Sequence, residues 1–138
     1  MSKHIVVIPG DGIGEEITDS AVQVLQEVDA VCKIGLTFER RIAGGTAYDE
    51  CGSPLPKETI EAAKKADAIL FGAVGGDKWD NVEPTLRPEQ AVLGLRKALG
   101  LYVNLRPVKV PPVLAEYSPL KADIVTGTDV LIVRELVG

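Results

Sequence analysis

The stretch His4-Ile-Val-Val-Ile-Pro-Gly-Asp-Gly-Ile-Gly14 decides the fold of this 138-residue chain. Its first half, His4 to Ile8, is an unbroken apolar run, which is typical of a buried strand in a parallel sheet. A glycine-rich turn follows, and residues Glu15 to Asp29 then have helical periodicity. The apolar face of this helix is formed by Ile17, Ala21, Val22, Leu25 and Val28. Strand, turn and helix in this order predict the first part of a β-α-β unit and an α/β fold.

The turn Pro9–Gly14 leaves two interpretations open. Its glycines alternate at positions 10, 12 and 14, so it does not match the G-x-G-x-x-G dinucleotide fingerprint, and we reject a phosphate cradle of that kind. One interpretation is a tight turn that needs positive φ, which glycine adopts without steric cost. The other is a close approach of the backbone to a ligand.

Later segments continue the alternation of strands and helices. Strands are predicted at Leu36–Ile42, Ala68–Val74 and Asp129–Glu135, and a proline-rich connector at Pro107–Pro119. Between the first two lie a short helical turn at Thr46–Glu50 and a helix at Lys57–Ala66, with Ile60 and Ala63 facing inward. This order favours a parallel sheet with helices on both faces.

Residues 75–87 have no periodic pattern, and they contain the single tryptophan, Trp79, among charged residues. A structureless loop of this length in a compact protein is usually functional or disordered. It leaves the carboxyl end of a predicted strand, as the turn Pro9–Gly14 does. Because ligands of α/β proteins bind beyond the carboxyl ends of the strands, we expect both segments to border one crevice.

A helix from Pro88 to Leu99 and a strand from Tyr102 to Arg106 follow this loop. Proline suits the first helical position, and Gly100 suits the C-terminal end. Leu95, Ala98 and Leu99 fit a core-facing side. The other side presents Glu89, Val92, Leu93 and Arg96, at i, i+3, i+4 and i+7.

This mixed face of the helix has two interpretations. It is either a partly exposed stripe that contacts a neighbouring element, or a pocket wall for a small acid with an aliphatic arm. Arginine binds carboxylates bidentately, and Arg87, Arg96, Arg106 and Arg134 all lie on or beside element ends. Four such arginines in an acidic chain favour the second interpretation.

Composition excludes several classes of function. The net charge of −5 and the absence of a basic run argue against nucleic-acid binding, and no apolar run reaches the length of a membrane span. Cys32 and Cys51 have no metal or redox spacing, which predicts reduced thiols and, with the absence of a signal peptide, a cytoplasmic location. His4, the only histidine, lies at what looks like a ragged start, so we expect no catalytic or metal role for it. The predicted last strand has no covering helix, which predicts an incomplete domain.

Six motifs occur in a fixed order: Pro9–Gly14, Gly75–Asp80, Leu86–Glu89, Leu93–Lys97, Asn104–Pro107 and Val133–Leu136. Together they closely resemble the N-terminal part of the 3-isopropylmalate dehydrogenases, within the isocitrate/isopropylmalate dehydrogenase family, over essentially the whole chain. The resemblance implies a two-domain α/β/α sandwich, of which this chain is the N-terminal portion. It places residues 1–101 in the first domain and residues 102–138 at the start of a second domain that pairs in a homodimer.

The resemblance also implies the chemistry. Such enzymes use NAD and Mg²⁺ or Mn²⁺ to oxidise 3-isopropylmalate in leucine biosynthesis, and loss of CO2 gives 4-methyl-2-oxopentanoate. The implied substrate-binding residues are Arg96, Arg106, Arg134, Glu89, Val92 and Leu93. The implied NAD contacts are Ile13, Gly76, Asp77, Lys78, Trp79, Asp80, Asn81, Val82, Glu83, Pro84, Thr85, Leu86, Arg87, Pro88 and Glu89.

Two departures from the family and one absence matter for this interpretation. Val92 is shorter than the aliphatic residue expected there, and Val137 replaces a hydroxyl residue. The family's catalytic tyrosine and lysine and its metal-binding aspartates are expected beyond residue 138, so no catalytic residue or metal ligand is assigned in this chain, and we expect the 138 residues alone to be inactive.

Two further hypotheses stay open beside this one. The first is a sister β-decarboxylating dehydrogenase acting on isocitrate, homoisocitrate or tartrate, which would share the arginines and differ in the helix face. The second is a non-catalytic α/β module that binds a ligand or a partner. The apolar pair Val92 and Leu93 favours an aliphatic arm over a third carboxylate.

Overall fold

A computed structural model describes residues 2–136, and the position of Val137 lies outside them. The chain forms two compact units, Met1–Gly100 and Leu101–Gly138. Their correspondence to the two domains of the resembling family stays a prediction. Among the described residues, no helix is both long enough and apolar enough to cross a bilayer.

The first unit contains a parallel sheet with β1 at its centre. Its strands are β1 (Lys3–Gly10), β2 (Leu36–Arg40) and β3 (Ala68–Ala73), in the order β2-β1-β3. Its α-helices are α1 (Gly14–Cys32), α2 (Gly45–Cys51), α3 (Lys57–Lys65) and α4 (Glu89–Ala98). The predicted α/β class and parallel sheet are therefore confirmed, and each element matches its predicted position within a few residues.

Helices cover both faces of this sheet, as the alternation predicts. Val6 and Ile8 point to one face, where they join a buried cluster with Ala63 of α3 and with Ala91 and Leu95 of α4. Helix α1 packs against β1 and β3 on the opposite face. The sheet is thus the middle of three layers, and its central strand is the most buried element of the unit.

The apolar stripe predicted for α1 is its packed face only in part, because Ala21, Val22 and Leu25 are half-buried. Ile17 is 48% exposed and Val28 is 41% exposed, whereas Gly14 and Thr18 are the buried residues of this helix. The reason is steric, because α1 approaches β3 at Gly72, where an added Cβ would lie 2.6 Å from the Thr18 hydroxyl oxygen. Small residues therefore form the closest contact, and Ile17 and Val28 remain outside it.

The second unit is built on an antiparallel ribbon. Strands β4 (Val103–Lys109) and β5 (Asp129–Glu135) pair along their whole length, and a 3-10 segment at Pro112–Tyr117 and α5 (Ala122–Val125) lie between them. Two expectations are corrected here. Pro107 lies inside β4, where its missing N–H is tolerated at the open edge of a two-stranded ribbon, and β5 does not join the parallel sheet.

His4 is also placed differently from the expectation. It lies within β1 and is half-buried, with Nε2 2.9 Å from the Glu39 carboxylate and Nδ1 3.2 Å from the Thr37 hydroxyl. It is therefore a structural residue of β1 and not part of a ragged start. Both cysteines are free and exposed, as expected for reduced thiols.

We expect the two sheets to differ strongly in amide hydrogen exchange. β1 is paired on both sides and buried, whereas every described residue of β5 is exposed and a two-stranded ribbon is marginally stable in water. In a polypeptide of these 138 residues, protection factors in β1 should exceed those in β5 by about tenfold or more. Mass-spectrometric exchange, corrected for intrinsic rates, measures this difference, and equal protection would contradict it.

Candidate functional site

The carboxylate of Asp11 joins three turns at the carboxyl edge of the parallel sheet. Its Oδ2 accepts hydrogen bonds from the backbone N–H groups of Gly45 (2.8 Å) and Gly75 (2.9 Å). Its Oδ1 accepts from the backbone N–H of Thr46 (2.7 Å) and from the Thr46 hydroxyl (3.0 Å). Asp11 itself is 2% exposed. A buried carboxylate with four donors fixes the turn after β1, the start of α2 and the segment after β3 relative to one another.

The glycines of the turn after β1 are explained by close backbone contacts at Gly10 and Gly14 and by positive φ at Gly10 and Gly12. An added Cβ at Gly10 would lie 2.0 Å from the Ala73 carbonyl oxygen, and one at Gly14 would lie 2.2 Å from the Pro9 carbonyl oxygen. The Asp11 N–H also donates to the Ala73 oxygen at 2.6 Å. The interpretation as a tight turn that needs positive φ is confirmed, since Gly10 and Gly12 have φ values of 82° and 53°. An approach of this turn to a ligand stays a prediction.

The segment between β3 and α4, residues 74–88, is called the tryptophan loop below. It is not structureless, because 3-10 turns form at Asp77–Trp79 and Pro84–Leu86. The Arg87 guanidinium donates to the carbonyl oxygens of Asp80 (3.1 Å) and Val82 (3.3 Å). Its expected position near element ends is correct, but its hydrogen bonds organise the loop itself.

The loop residues expected to contact the cofactor differ in exposure. Trp79, Val82 and Leu86 are half-buried and Pro88 is buried, so these four support the loop. Ile13, at the start of α1, is 63% exposed. The remaining expected contacts are exposed side chains or backbone: Gly76, Asp77, Lys78, Asp80, Asn81, Glu83, Pro84, Thr85, Arg87 and Glu89.

Helix α4 separates a core face from a free face, as its periodicity predicts. Ala91 and Leu95 are buried in the core, and Leu99 packs against it. On the other side, Glu89 is exposed, Leu93 is 53% exposed, and Val92 and Arg96 are half-buried. The Glu89 carboxylate lies beside the loop, since an added Cβ at Gly75 would be 2.8 Å from its Oε1.

The two other candidate arginines lie in the second unit. In the β4–β5 register, Arg106 is opposite Ile132 and Arg134 is opposite Asn104. Because side chains alternate along a strand, both arginines project from the same face of the ribbon as diagonal neighbours. In the described part of the chain, neither has a carboxylate within salt-bridge distance.

Some charged groups have shifted pKa values. The pKa of Asp49, on α2, lies below its ordinary value because Lys78 and then Trp79 donate hydrogen bonds to the carboxylate. His4 and Arg41 likewise lower the pKa of Glu39, and Lys3 lowers that of Asp67. Only the Asp49 interaction involves the tryptophan loop.

No metal centre forms within residues 2–136, because no three side chains of His, Cys, Asp or Glu are grouped there as ligands. Asp11 is not a free metal ligand, since protein donors already occupy both of its oxygens.

Sequence reasoning missed Asp11 and Asp49. Asp11 stands between two glycines and looks like an ordinary turn residue, while its partners are 34 to 64 residues away. A weak signal existed, because its sequence neighbours Gly10 and Gly12 both have positive φ on either side of a short polar side chain. For Asp49, no pattern in the neighbouring sequence indicated its role.

We expect Asp11→Asn to lower the free energy of unfolding by about 2–3 kcal/mol, because a buried donor is then left without an acceptor. In either orientation, the amide NH2 faces at least one backbone N–H that now points at Asp11. Urea unfolding followed by circular dichroism measures the loss. The matched control is Asp123→Asn, since Asp123 is exposed and makes no side-chain hydrogen bond in the described structure. Equal stability of the two variants would contradict the role of Asp11.

Residues 4–138 match the sequence pattern of the family described as isocitrate/isopropylmalate dehydrogenase. The chain is 56% identical over its whole length to a 3-isopropylmalate dehydrogenase of Oceanobacillus iheyensis and 53% identical to one of Xanthomonas axonopodis. It spans 38% and 39%, respectively, of the lengths of these relatives.

Solved structures give the same picture. A β-decarboxylating dehydrogenase of Thermococcus kodakarensis superposes with a TM-score of 0.72 at 38% identity, over 96% of this chain and 33% of that one. An isocitrate dehydrogenase of Methylococcus capsulatus superposes with a TM-score of 0.65 at 28% identity, over 96% of this chain and 34% of that one.

Proposed function

This chain belongs to the isocitrate/isopropylmalate dehydrogenase family, and from that premise we propose that it contributes substrate-binding arginines and a cofactor loop to the NAD-dependent oxidative decarboxylation of 3-isopropylmalate. The relatives named as 3-isopropylmalate dehydrogenases support this choice of substrate. Since the chain spans less than two fifths of their lengths, the proposal concerns an activity to which it contributes.

The pair Arg106 and Arg134 is the observation that carries the proposal. Two guanidinium groups project from one face of the ribbon, and no described carboxylate neutralises them. Like charges held side by side repel each other, so the arrangement favours an anionic ligand. A malate-type substrate has two carboxylates, and the planar guanidinium binds a carboxylate through two parallel hydrogen bonds.

For the free face of α4, the family resemblance supports the following roles. Arg96 would bind a carboxylate of the substrate, and Leu93 and Val92 would contact the isopropyl arm. The 53% exposure of Leu93 supports this role, because an aliphatic side chain outside the core is available for an apolar group. Glu89, one helical turn before Leu93, would face the nicotinamide side.

We also propose that the tryptophan loop and Ile13 contact NAD. The support is positional, because the loop begins at the carboxyl end of β3, where ligands of α/β sheets bind. When bound, NAD would supply the acceptor for the hydride that leaves the hydroxyl-bearing carbon of the substrate as the hydroxyl proton is lost, and the β-keto acid so formed would then lose CO2. The residues of this chain orient the substrate and the cofactor, and we assign them no proton transfer. We assign the divalent cation no ligand among the described residues.

A homodimer and a cytoplasmic location are also part of the proposal. The family resemblance supports both. The exposed apolar side chains of β5, such as Leu131 and Val133, give additional support for an interface on the second unit.

A sister dehydrogenase acting on isocitrate is the second candidate function. The structural similarity to an isocitrate dehydrogenase favours it, with a TM-score of 0.65 over 96% of this chain. The residues Val92 and Leu93 argue against it, because a third carboxylate needs a cation or a hydroxyl group in place of aliphatic side chains.

We expect Arg106→Gln and Arg134→Gln, made in the full-length enzyme, to lower kcat/KM for 3-isopropylmalate by about 10²-fold each. Each substitution removes charge-assisted hydrogen bonds to the substrate carboxylates. Steady-state kinetics at saturating NAD measures the loss. Lys109→Gln is the matched control, because Lys109 lies on the same strand and projects from the opposite face of the ribbon. An effect of the control as large as that of the two variants would refute the role of the arginines.

We expect Leu93→Ala to reduce discrimination between substrates. It should lower kcat/KM for 3-isopropylmalate by about tenfold or more, and it should change kcat/KM for malate, which lacks the arm, by less than about twofold. Parallel assays with 3-isopropylmalate, malate and isocitrate measure this. Equal losses for all acids would remove Leu93 from the arm pocket, and a preference of the unaltered enzyme for isocitrate would favour the second candidate function.

A further inference from the structure

The indole of Trp79 packs against the first turn of α2. An added Cβ at Gly45 would lie 2.3 Å from Cε2 and 2.4 Å from Cδ2 of the ring, so the indole rests directly on the backbone there. A side chain at position 45 would displace the ring. This contact brings the first 3-10 turn of the tryptophan loop against α2.

The carboxylate of Asp49 completes this contact. Asp49 follows Gly45 by four residues on α2, so the two lie on the same side of the helix. Its Oδ1 accepts a hydrogen bond from Trp79 Nε1 at 3.2 Å, and its Oδ2 accepts one from Lys78 Nζ at 2.6 Å. The Lys78 ammonium also lies 5.3 Å from the centre of the indole ring, within range of a cation–π interaction.

The other attachments of the loop lie elsewhere along it. Asp11 holds Gly75 at the start, and Gln90 of α4 donates to the Pro84 carbonyl oxygen at 3.1 Å. Arg87 bonds within the loop. Asp49 therefore fixes the part between these anchors, and it does so from a helix that carries none of the expected ligand contacts.

We propose that Asp49 is a positioning residue, which latches the tryptophan loop onto α2 through Lys78 and Trp79 and thereby sets the affinity for NAD. The inference rests on the proposed contact between this loop and NAD. A loop held in one conformation before binding loses less conformational entropy when the ligand arrives. The lowered pKa of Asp49 agrees with a carboxylate that stays ionised and bonded at neutral pH.

The expected effect is on cofactor binding and not on the chemical step. Since Asp49 and Lys78 are partly exposed, loss of the latch should weaken NAD binding about three- to tenfold. The value of kcat at saturating NAD should change by less than about twofold, because Asp49 touches neither substrate nor reacting atoms. If Asp49 had a purely structural role, its substitution would lower stability without weakening NAD binding at unchanged kcat.

The test uses the full-length enzyme and its Asp49→Ala and Asp49→Asn variants. NAD affinity is measured by equilibrium titration, and KM for NAD and kcat by steady-state kinetics. Fluorescence supplies an independent readout, because Trp79 is the one tryptophan of these 138 residues. Subtracting the spectrum of Trp79→Phe in each background isolates its signal. Glu50→Gln is the matched control, since Glu50 is an exposed neighbour on α2 without a side-chain bond in the described structure.

We expect Asp49→Ala to shift the Trp79 emission to longer wavelength, to increase quenching by acrylamide, and to weaken NAD binding at unchanged kcat, while Glu50→Gln changes none of these. Unchanged fluorescence would overturn the latch, and altered fluorescence with unchanged NAD affinity would overturn its link to the cofactor. If the unaltered enzyme failed to bind NAD, the proposed function itself would be refuted, together with this link.

Discussion

A single buried carboxylate holds the carboxyl edge of the first unit together. Asp11, in the turn after β1, accepts hydrogen bonds from backbone N–H groups at the start of α2 and after β3, and without it these groups would be left unpaired in a dry environment. The close packing of β1 and β3 also holds this edge together, because glycines at positions 10 and 14 let the backbones approach each other closely. Both features reduce the freedom of the edge from which the tryptophan loop and α4 begin.

The interactions that hold this edge become weaker with distance from the sheet. Close to the sheet it is rigid, since Asp11 is buried and accepts four hydrogen bonds. Further out it depends on Asp49 and Lys78, which are partly exposed to water. Exposed ion pairs are weaker and break more easily than buried networks. The base of the tryptophan loop therefore stays fixed while its outer part moves at lower cost.

The elements with strong local signals were predictable from the sequence. Helix α4 was placed within one residue because Pro88 and Gly100 mark its limits, and its core face followed from the periodicity of Leu95 and Leu99. The partner of β5 was not predictable, because an apolar run does not reveal whether it pairs in a parallel sheet or with β4. The burial of Gly14 and Thr18 in α1 was missed for a similar reason, since the contact depends on Gly72 of another element. Asp11 and Asp49 escaped because their partners are distant in sequence.

The alternation of side chains along the β4–β5 ribbon has an evolutionary consequence. Side chains alternate between its two faces, so Arg106 and Arg134 share a face only while the count of residues along both strands is kept. Substitutions at many exposed positions of this ribbon cost little, whereas deleting one residue within a strand would turn an arginine to the opposite face. Among related sequences, the residue types of this segment are therefore expected to vary freely, whereas the lengths of its two strands are expected to stay constant. Insertions should be confined to the connection between residues 110 and 128.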